Sequence, residues 1–255
     1  MTKPLHVGNG ARSAVLAATL ASKGFTSSPV VFEGDNGYFG SFARGLKNDY
    51  APFQDLGKRW DLKESGYSIK FYPCGGRGHT AIDAAMILRD KVGGKLGDIT
   101  NIHCSMSPSS AKRVVTKYPI DVESAKFSAS FVIAYALVHG VPNIKAFTRE
   151  ALNDARVKSL AGLVTASADP QLSDDWGNPT RVKITLKDGA AFEQQRDYPI
   201  GSKEVPLTKA QVEEKFMDCA TLTISTDAAK KLFAIVSTIN DRPSFGDFWS
   251  LVRKA

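Results

Sequence analysis

The stretch RVKITLKDGAAFEQQRDYPI, residues 181–200, decides the fold class. Apolar and polar residues alternate on both sides of Asp188-Gly189, and an Asp-Gly pair between two alternating runs is a strong β-hairpin signal. On the N-terminal side, HTAIDAAMILRDKV (79–92) and AKFSASFVIAYALVHG (125–140) read as helices. Between these two helices, NIHCSMS (101–107) and KRVVTKYPID (112–121) read as strands or as the connections between strands. The middle of the chain is therefore predicted to be an α+β layer.

Helical patterns flank this layer on both sides. Near the N-terminus, apolar residues recur at helical spacing from Ala11 to Lys23 and Gly24 supplies a stop. The run FEGDNGYFGSFARGL (32–46) then predicts a glycine-rich turn leading into a short helix. After residue 206, PLTKAQVEEKFMDCATL predicts a helix capped by Thr208, with Glu213 and Glu214 following. The run TDAAKKLFAIVSTI predicts another, capped by Thr226 or Asp227.

The boundaries of the layer are less regular. SIKFYP (68–73) is short and β-prone, and TREALNDARVKSLAGLVTASADP (148–170) predicts one or two helices and a strand. The order helical, α+β, helical predicts one discontinuous helical domain with an inserted α+β domain. We place the first helical segment at residues 1–66, the α+β insertion at 67–205 and the returning helical segment at 206–255.

Composition and charge narrow the function classes. The 255 residues are 43% hydrophobic and 23% charged, which is typical of a globular protein. The net charge of +7 is compatible with nucleic acid, a membrane surface or small anionic substrates. The 33 lysines and arginines are scattered and match no nucleic-acid-binding motif, so a small acidic molecule is the preferred partner. We expect neither nucleic acid nor a membrane as a partner.

Three cysteines without a CxxC pair indicate a reducing compartment, and we predict a cytoplasmic location. No stretch is apolar for 18 or more residues, and the N-terminus carries no signal-peptide pattern. No glycine-rich nucleotide motif follows a predicted strand, and no cluster of metal ligands occurs in the sequence. We therefore expect no cofactor.

Five segments, in order, carry a resemblance to a known family: KPLHVGNGARSAVLAATLASKGFT, FEGDNGYFGSF, KFYPCGGRGHTAIDA, AKFSASFVIAYALVHG and YPIGSKEVPLTKAQVEEKF. In this order they resemble the MmgE/PrpD family, which includes 2-methylcitrate dehydratase, cis-aconitate decarboxylase and iminodisuccinate epimerase. The resemblance implies a helical domain with an inserted α+β lid domain. It covers only the C-terminal part of family members, which are about twice as long.

This resemblance implies that the helix at Ala11 packs on helices of an N-terminal half. The chain would then be a split-gene product, a fragment or a truncated form that needs a partner. We expect association as a homodimer, with a separate N-terminal helical chain, or both.

The resemblance also implies a substrate site at the cleft between the two domains. An enzyme that removes a proton beside a carboxylate must bind that carboxylate with cations and stabilise the developing negative charge. Lys3 and Lys70 match the two pocket lysines of the family, although each could also be an ordinary solvated lysine. Arg77 is a further candidate for binding a carboxylate with two hydrogen bonds.

Two histidines and one phenylalanine complete the candidates. His6 could donate to a substrate carboxylate or bond to backbone, and His79 could bind an anion at a helix N-terminus or cap that helix. We take both as catalytic candidates. Phe131 stands where the decarboxylase branch of the family has a pocket tyrosine, and its missing hydroxyl argues against decarboxylation.

Three function hypotheses follow. The first is a lyase that dehydrates a 2-hydroxy polycarboxylate such as 2-methylcitrate. In this hypothesis the acid–base groups come from the N-terminal half of the family, so the chain alone would be inactive. The second is a catalytically inactive relative or fragment that binds carboxylates, and the third, disfavoured by the scattered charge, is a nucleic-acid-binding protein.

Overall fold

The structure is a computed structural model that describes residues 2–43, 50–64, 66–173, 177–241 and 246–252. These residues form two compact units, one ending at Glu64 and the other comprising the rest of the chain. Helices and one mixed sheet give an α+β fold, as predicted. The first unit contains α1 (Thr2–Ser22), α2 (Tyr38–Phe42), a 3-10 helix (Ala51–Asp55) and α3 (Asp61–Glu64).

The first helix is longer than the sequence pattern indicated. It begins at Thr2 rather than at Ala11 and ends at Ser22, before Gly24 with φ +88°. Pro4 is tolerated because it lies in the first turn, where backbone N–H groups have no partner within the helix. No residue of α1 is buried, so the described residues of its unit leave its apolar side chains largely exposed.

A tight glycine turn leads into α2, as predicted. The backbone N–H of Tyr38 donates to the carbonyl of Val31 at 2.8 Å. A Cβ on Gly37 would lie 2.7 Å from that same carbonyl oxygen, and one on Gly40 would lie 2.1 Å from the Asp35 carbonyl oxygen. Both glycines are therefore required by close backbone approach. Residues 44–46 of the predicted segment lie outside the described residues.

The second unit contains the remaining elements. Its helices are α4 (His79–Val92), α5 (Pro108–Ala111), α6 (Val122–Ala125), α7 (Ala129–His139), α8 (Arg149–Asn153), α9 (Ala155–Ala161), α10 (Lys209–Ala220), α11 (Thr226–Ser237) and α12 (Gly246–Val252). Its strands are β1 (Ile99–Met106), β2 (Val164–Ala168), β3 (Thr180–Leu186) and β4 (Ala191–Arg196). Short 3-10 helices span Gly76–Gly78, Leu96–Asp98, Ile144–Ala146 and Ile239–Asp241.

The four strands form one sheet in the order β2-β1-β3-β4. β1 is parallel to β2 and antiparallel to β3, and β3 and β4 form the predicted antiparallel hairpin. Gly189 turns that hairpin with φ +85°. The parallel β1–β2 pair requires a crossover, and α5 to α9 supply it.

The core lies between one face of the sheet and the helices α4 and α7. Alternate residues of β1 and β3 are buried, whereas the residues between them are more exposed. The helix α4 packs against β3, β4 and α7, and α7 also packs against β2 and α9. The largest fully buried side chains are those of Tyr72, Ile82, Leu88, Ile102, Met106, Phe131, Ile133, Leu137, Val157, Val182 and Ile184. The helix α4 therefore connects the sheet with the segment 70–78, which directly precedes the helix.

Two local predictions were wrong. Residues 68–73 form no strand, and the N–H of Ile69 donates to the carbonyl of Gly201 at 2.8 Å. The cap of α11 is Ser225 rather than Thr226 or Asp227. The predicted Thr208 cap of α10 is confirmed, and it forms a reciprocal capping box with Gln211, three residues later.

The predicted division at residues 66 and 205 stays a prediction. The described part of residues 206–252 belongs to the same compact unit as the sheet, and residues 242–245 and 253–255 lie outside the described residues. Within the described ranges, no helix combines the length and apolar character needed to cross a membrane.

Candidate functional site

The loop from Lys70 to His79 carries three of the predicted site residues. Its start is bonded to residue 201 through Ile69, and its middle is bonded by the N–H of Gly75 to the carbonyl of Lys126 at 2.7 Å. The 3-10 helix Gly76–Gly78 then leads directly into α4. The loop is thus anchored at both ends and in its middle. A side chain mounted on it has a defined position.

Lys70 is exposed at the beginning of this loop. A Cβ built on Gly76 would lie 3.6 Å from Cε of Lys70 and 3.9 Å from its Nζ, so the lysine side chain lies along the loop. Among the described residues, no carboxylate oxygen lies within 4.0 Å of this ammonium group. Lys70 therefore presents a positive charge without an acidic partner in the described structure.

Arg77 is half-buried and held in place by neutral groups. Its Nη1 donates to the hydroxyl of Ser109 at 3.3 Å, to that of Ser110 at 3.2 Å and to Oδ1 of Asn178 at 3.2 Å. Asn178 has φ +51°, a left-handed conformation that asparagine tolerates better than most residues. No described carboxylate pairs with Arg77 either. Its orientation is set without neutralising its charge.

His79 is the first residue of α4 and is 2% exposed. Its ring packs edge-on against Tyr72 with centroids 5.2 Å apart. Burial, together with the nearby charges of Lys70 and Lys215, lowers the pKa of His79 to about 4, against the opposing effect of hydrogen bonds to the backbone of Cys74 and Tyr72. Its Nε2 has no hydrogen-bond partner among the described residues. The ring is neutral at pH 7, and because its other nitrogen donates to backbone, Nε2 is a buried acceptor without a partner among the described residues.

His79 does not cap its helix with its side chain. The N-cap residue is Gly78, and no side chain bonds to the first turn of α4. The ring of His79 therefore does not act as a helix cap. The uncapped first turn of α4 retains backbone N–H groups that suit an anion.

Cys74 is a site residue that sequence reasoning missed. Its thiol is 8% exposed. Burial raises its pKa to about 12, and the charges of Lys70 and Lys215 oppose that rise. The thiol is protonated at pH 7, so it is not a nucleophile there. The charges of Lys70 and Lys215 both act on the pKa of this thiol, so both ammonium groups lie near the same part of the loop.

Phe131 lies in α7 and is fully buried. Its ring packs on the rings of Tyr118, Tyr135 and Phe147, with centroids 5.9 to 6.1 Å apart. The neighbouring Val132 lies 3.7 Å from the position of a Cβ on Gly78, so α7 packs directly behind the loop. The proposed contact of Phe131 with substrate stays a prediction.

Lys3 and His6 belong to the first compact unit. They lie three residues apart in α1, on adjacent turns of one helix face, and both are exposed. The second unit thus brings together Lys70, Arg77 and His79, while α1 pairs the other two candidates. The site assignments of all five stay predictions.

The two remaining histidines have structural partners. The ring of His103 bonds to the hydroxyls of Thr165 and Ser167 on the neighbouring strand, at 2.9 and 3.0 Å. His139, at the end of α7, pairs with Asp154 at 2.7 Å. In the part of the chain that the structure describes, no group of three or more His, Cys, Asp or Glu side chains is arranged to bind a metal ion.

Comparison with known proteins identifies the family. The model of the MmgE/PrpD C-terminal domain matches residues 72–241, which begin just after Lys70 and include Arg77, His79 and Phe131. The chain belongs to the MmgE/PrpD family. Its sequence is 26% identical over 244 residues to human cis-aconitate decarboxylase and 25% identical over 252 residues to the mouse protein.

A third relative is the 2-methylcitrate dehydratase, mitochondrial, of Yarrowia lipolytica, at 24% identity over 213 residues. The alignments cover 94% of this chain and 50% of each decarboxylase, and 79% of this chain and 40% of the dehydratase. The chain thus spans about half the length of the curated relatives that it matches. By their names, these MmgE/PrpD relatives are lyases that act on tricarboxylates.

Proposed function

We propose that this MmgE/PrpD chain contributes the carboxylate-binding part of a lyase that dehydrates a 2-hydroxy polycarboxylate such as 2-methylcitrate. One observation carries the proposal. Lys70 and Arg77 belong to one anchored loop, neither has a carboxylate partner among the described residues, and the loop ends at His79, whose buried Nε2 has no hydrogen-bond partner among those residues. Cations without acidic partners suit a substrate that brings its own carboxylates.

The chemistry gives each group a role. Elimination of water from a 2-hydroxy acid begins with loss of a proton from the carbon next to a carboxylate, and negative charge then develops on that carboxylate. Lys70 stabilises this charge, and Arg77 binds a second carboxylate. His79, neutral at pH 7, can accept a hydrogen bond at Nε2 from a hydroxyl group of the substrate. The candidate roles of Lys3 and His6, on α1, stay predictions.

The residue at position 131 favours dehydration over decarboxylation. The resemblance places a pocket tyrosine of the decarboxylases at this position, and phenylalanine offers no hydroxyl for proton transfer. The surrounding rings of Tyr135 and Phe147 are packed against Phe131, so its side chain can shape a pocket wall but cannot donate a hydrogen bond. We therefore propose that this chain differs from the decarboxylases in the reaction that its site supports.

We propose that α1 packs on helices equivalent to the N-terminal half of the family, supplied by the same polypeptide or by a separate chain. The exposed apolar residues of α1 support this: Leu5 is 62% exposed, Val15 69% and Leu16 53%. Helices with an apolar face gain most of their stability by burying it. In this proposal the acid–base groups come from the added helices.

A second candidate function is carboxylate binding without catalysis. It rests on the same loop, because binding needs only Lys70, Arg77 and His79, whereas elimination also needs groups that accept and donate protons. A cytoplasmic location stays a prediction.

Calorimetric titration with citrate tests the proposed site. Lys70→Ala is expected to weaken binding about tenfold, because a charge-assisted hydrogen bond contributes roughly 1.5–3 kcal/mol. Lys112→Ala is the matched control, since Lys112 is exposed and forms no ion pair with a described residue. Equal effects of the two substitutions would remove Lys70 from the site.

A further inference from the structure

A second lysine reaches the Lys70–His79 loop from a helix distant in sequence. Lys215 lies in the middle of α10, and its Nζ donates to the backbone carbonyl of Phe71 at 3.4 Å. Phe71 directly follows Lys70, so the ammonium of Lys215 is bonded to the peptide next to the predicted site lysine. The helix α10 is itself fixed at its start by the reciprocal capping box of Thr208 and Gln211. The position of Lys215 is therefore defined by both its helix and its bond.

The bond to Phe71 does not use the full capacity of this ammonium group. An ammonium group has three N–H donors, and a donor–acceptor distance of 3.4 Å is longer than that of a strong charge-assisted bond. The side chain is half-buried, which makes an unused positive charge costlier than on the surface. A bound anion would satisfy the remaining donors.

Acidic neighbours do not neutralise Lys215. Glu214 and Asp218 line the same small cavity, of about 30 Å³, together with Phe71 and Pro73. Neither carboxylate lies within 4.0 Å of the ammonium group, because no ion pair forms between Lys215 and a described residue. A cavity of this size holds a water molecule rather than a tricarboxylate, so a substrate would bind outside it.

The charges of Lys215 and Lys70 act on the same buried groups of the loop. The charges of the same two ammonium groups lower both the pKa of the Cys74 thiol and the pKa of the His79 ring. Cys74 and His79 are both buried and lie at the two ends of the segment 74–79. Lys70 and Lys215 are the cations that contribute to both pKa shifts. Two cations thus act together on one short segment that already contains Arg77.

We propose that Lys215 binds a carboxylate of the substrate beside the one bound by Lys70, so that the site prefers tricarboxylates to dicarboxylates. This inference rests on the proposed function and deepens it. With Arg77, the second unit then supplies three cations to one anion, which matches the charge of a tricarboxylate. The alternative is that Lys215 only tethers α10 to the loop through Phe71.

Citrate and succinate titrations of the full chain separate these possibilities. Lys215→Gln is expected to weaken citrate binding about tenfold while changing succinate binding much less, and Lys215→Arg is expected to restore part of the loss. Lys209→Gln is the matched control, because Lys209 is an exposed residue of the same helix. A tether would change thermal stability without changing the ratio of the two affinities.

The outcomes also distinguish this inference from the proposed function. If Lys70→Ala weakens citrate binding and Lys215→Gln does not, Lys215 is only a tether and the proposed site survives. If the unsubstituted chain binds neither anion, both proposals are overturned.

A measurement on the unsubstituted chain covers the case in which Lys215→Gln does not fold. Brief acetylation of amines with and without citrate, read by peptide mass spectrometry, is expected to show protection of Lys70 and Lys215 but not of Lys112 and Lys209. Equal labelling of Lys215 in both samples would overturn the inference.

Discussion

The hydroxyl of Tyr72 donates a hydrogen bond to Oδ1 of Asp83 at 2.5 Å, and both side chains are buried. The second oxygen of Asp83 accepts from the N–H of Ile200 at 2.8 Å. Burial raises the pKa of Asp83, and these two hydrogen bonds oppose the rise. One carboxylate on α4 thus joins the Lys70–His79 loop to the turn that follows β4.

Replacing Asp83 should destabilise the fold more than replacing an exposed aspartate of the same helix. Asp83→Ala leaves the Tyr72 hydroxyl and the Ile200 N–H without their acceptor, and each buried unsatisfied group costs roughly 1–3 kcal/mol. We expect a loss of about 3 kcal/mol in the free energy of unfolding, measured by urea denaturation. Asp90→Ala, the exposed control, should change it by less than about 0.5 kcal/mol. Similar losses for both variants would contradict a specific role of Asp83.

Gly201 should be far less replaceable than Gly189, although both have positive φ, +93° and +85°. A Cβ on Gly201 would lie 2.0 Å from the carbonyl oxygen of Ile69, whereas one on Gly189 would meet nothing within 4 Å. Gly189→Ala should therefore cost only the strain of a left-handed alanine, about 1–2 kcal/mol. Gly201→Ala must in addition push the 66–70 segment away.

The comparison uses urea denaturation for stability and citrate titration for the site. We expect Gly201→Ala to lower both stability and citrate affinity, because Ile69 directly precedes Lys70, and Gly189→Ala to lower stability alone. Unchanged citrate affinity in a folded Gly201→Ala variant would show that this close approach does not position Lys70.

His79 should make the fold sensitive to mild acid. The pKa of His79 is lowered to about 4 by burial, whereas an unfolded histidine titrates near 6.5. Between these values the unfolded state binds a proton that the folded state does not, so stability falls as the pH falls. Between about pH 7.5 and about pH 5 the loss from this group is roughly 2 kcal/mol.

His79→Gln isolates this contribution. The titration of Asp83 is present in both proteins and cancels in the difference between their urea denaturation curves at the two pH values. The variant should lose less stability on acidification than the unsubstituted chain. If the two proteins lose stability in parallel, His79 is not the group that titrates.

Local patterns predicted the regular elements because those elements depend on local chemistry. The hairpin around Gly189 and the helix from His79 to Val92 occur where alternation and helical spacing placed them. The segment 68–73 has a strand-like composition, but the close approach of Gly201 to Ile69 fixes it as an irregular loop. That approach joins residues distant in sequence, and no local pattern contains it.

The candidate site divides in the same way. Lys70, Arg77 and His79 are neighbours in sequence, so a single resemblance could nominate them together. Lys215 reaches the loop only because α10 packs against it. The local sequence QVEEKF, which contains Lys215, does not predict that contact. The burial that lowers the pKa of His79 is likewise a tertiary property. Charge state and long-range neighbours therefore had to come from the structure.

Catalysis separates the lyase from the binding module. The chain alone should show no dehydration of 2-methylcitrate, because its described site offers cations and a weakly basic histidine but no established acid–base pair. Adding the N-terminal half of a close relative should produce turnover, followed by the absorbance of the new carbon–carbon double bond. Lys70→Ala should then reduce that rate roughly 10²–10³-fold, as for the loss of one group that stabilises developing charge.

The control for this experiment is Lys112→Ala in the same reassembled pair, which should retain full activity because Lys112 is exposed. Turnover by the isolated chain would show that the acid–base groups lie within it, and His6 and His79 would be the first to replace. A reassembled pair that binds citrate through Lys70 yet never eliminates water would instead support carboxylate binding without catalysis, because the cations would then be present without a group that removes the proton.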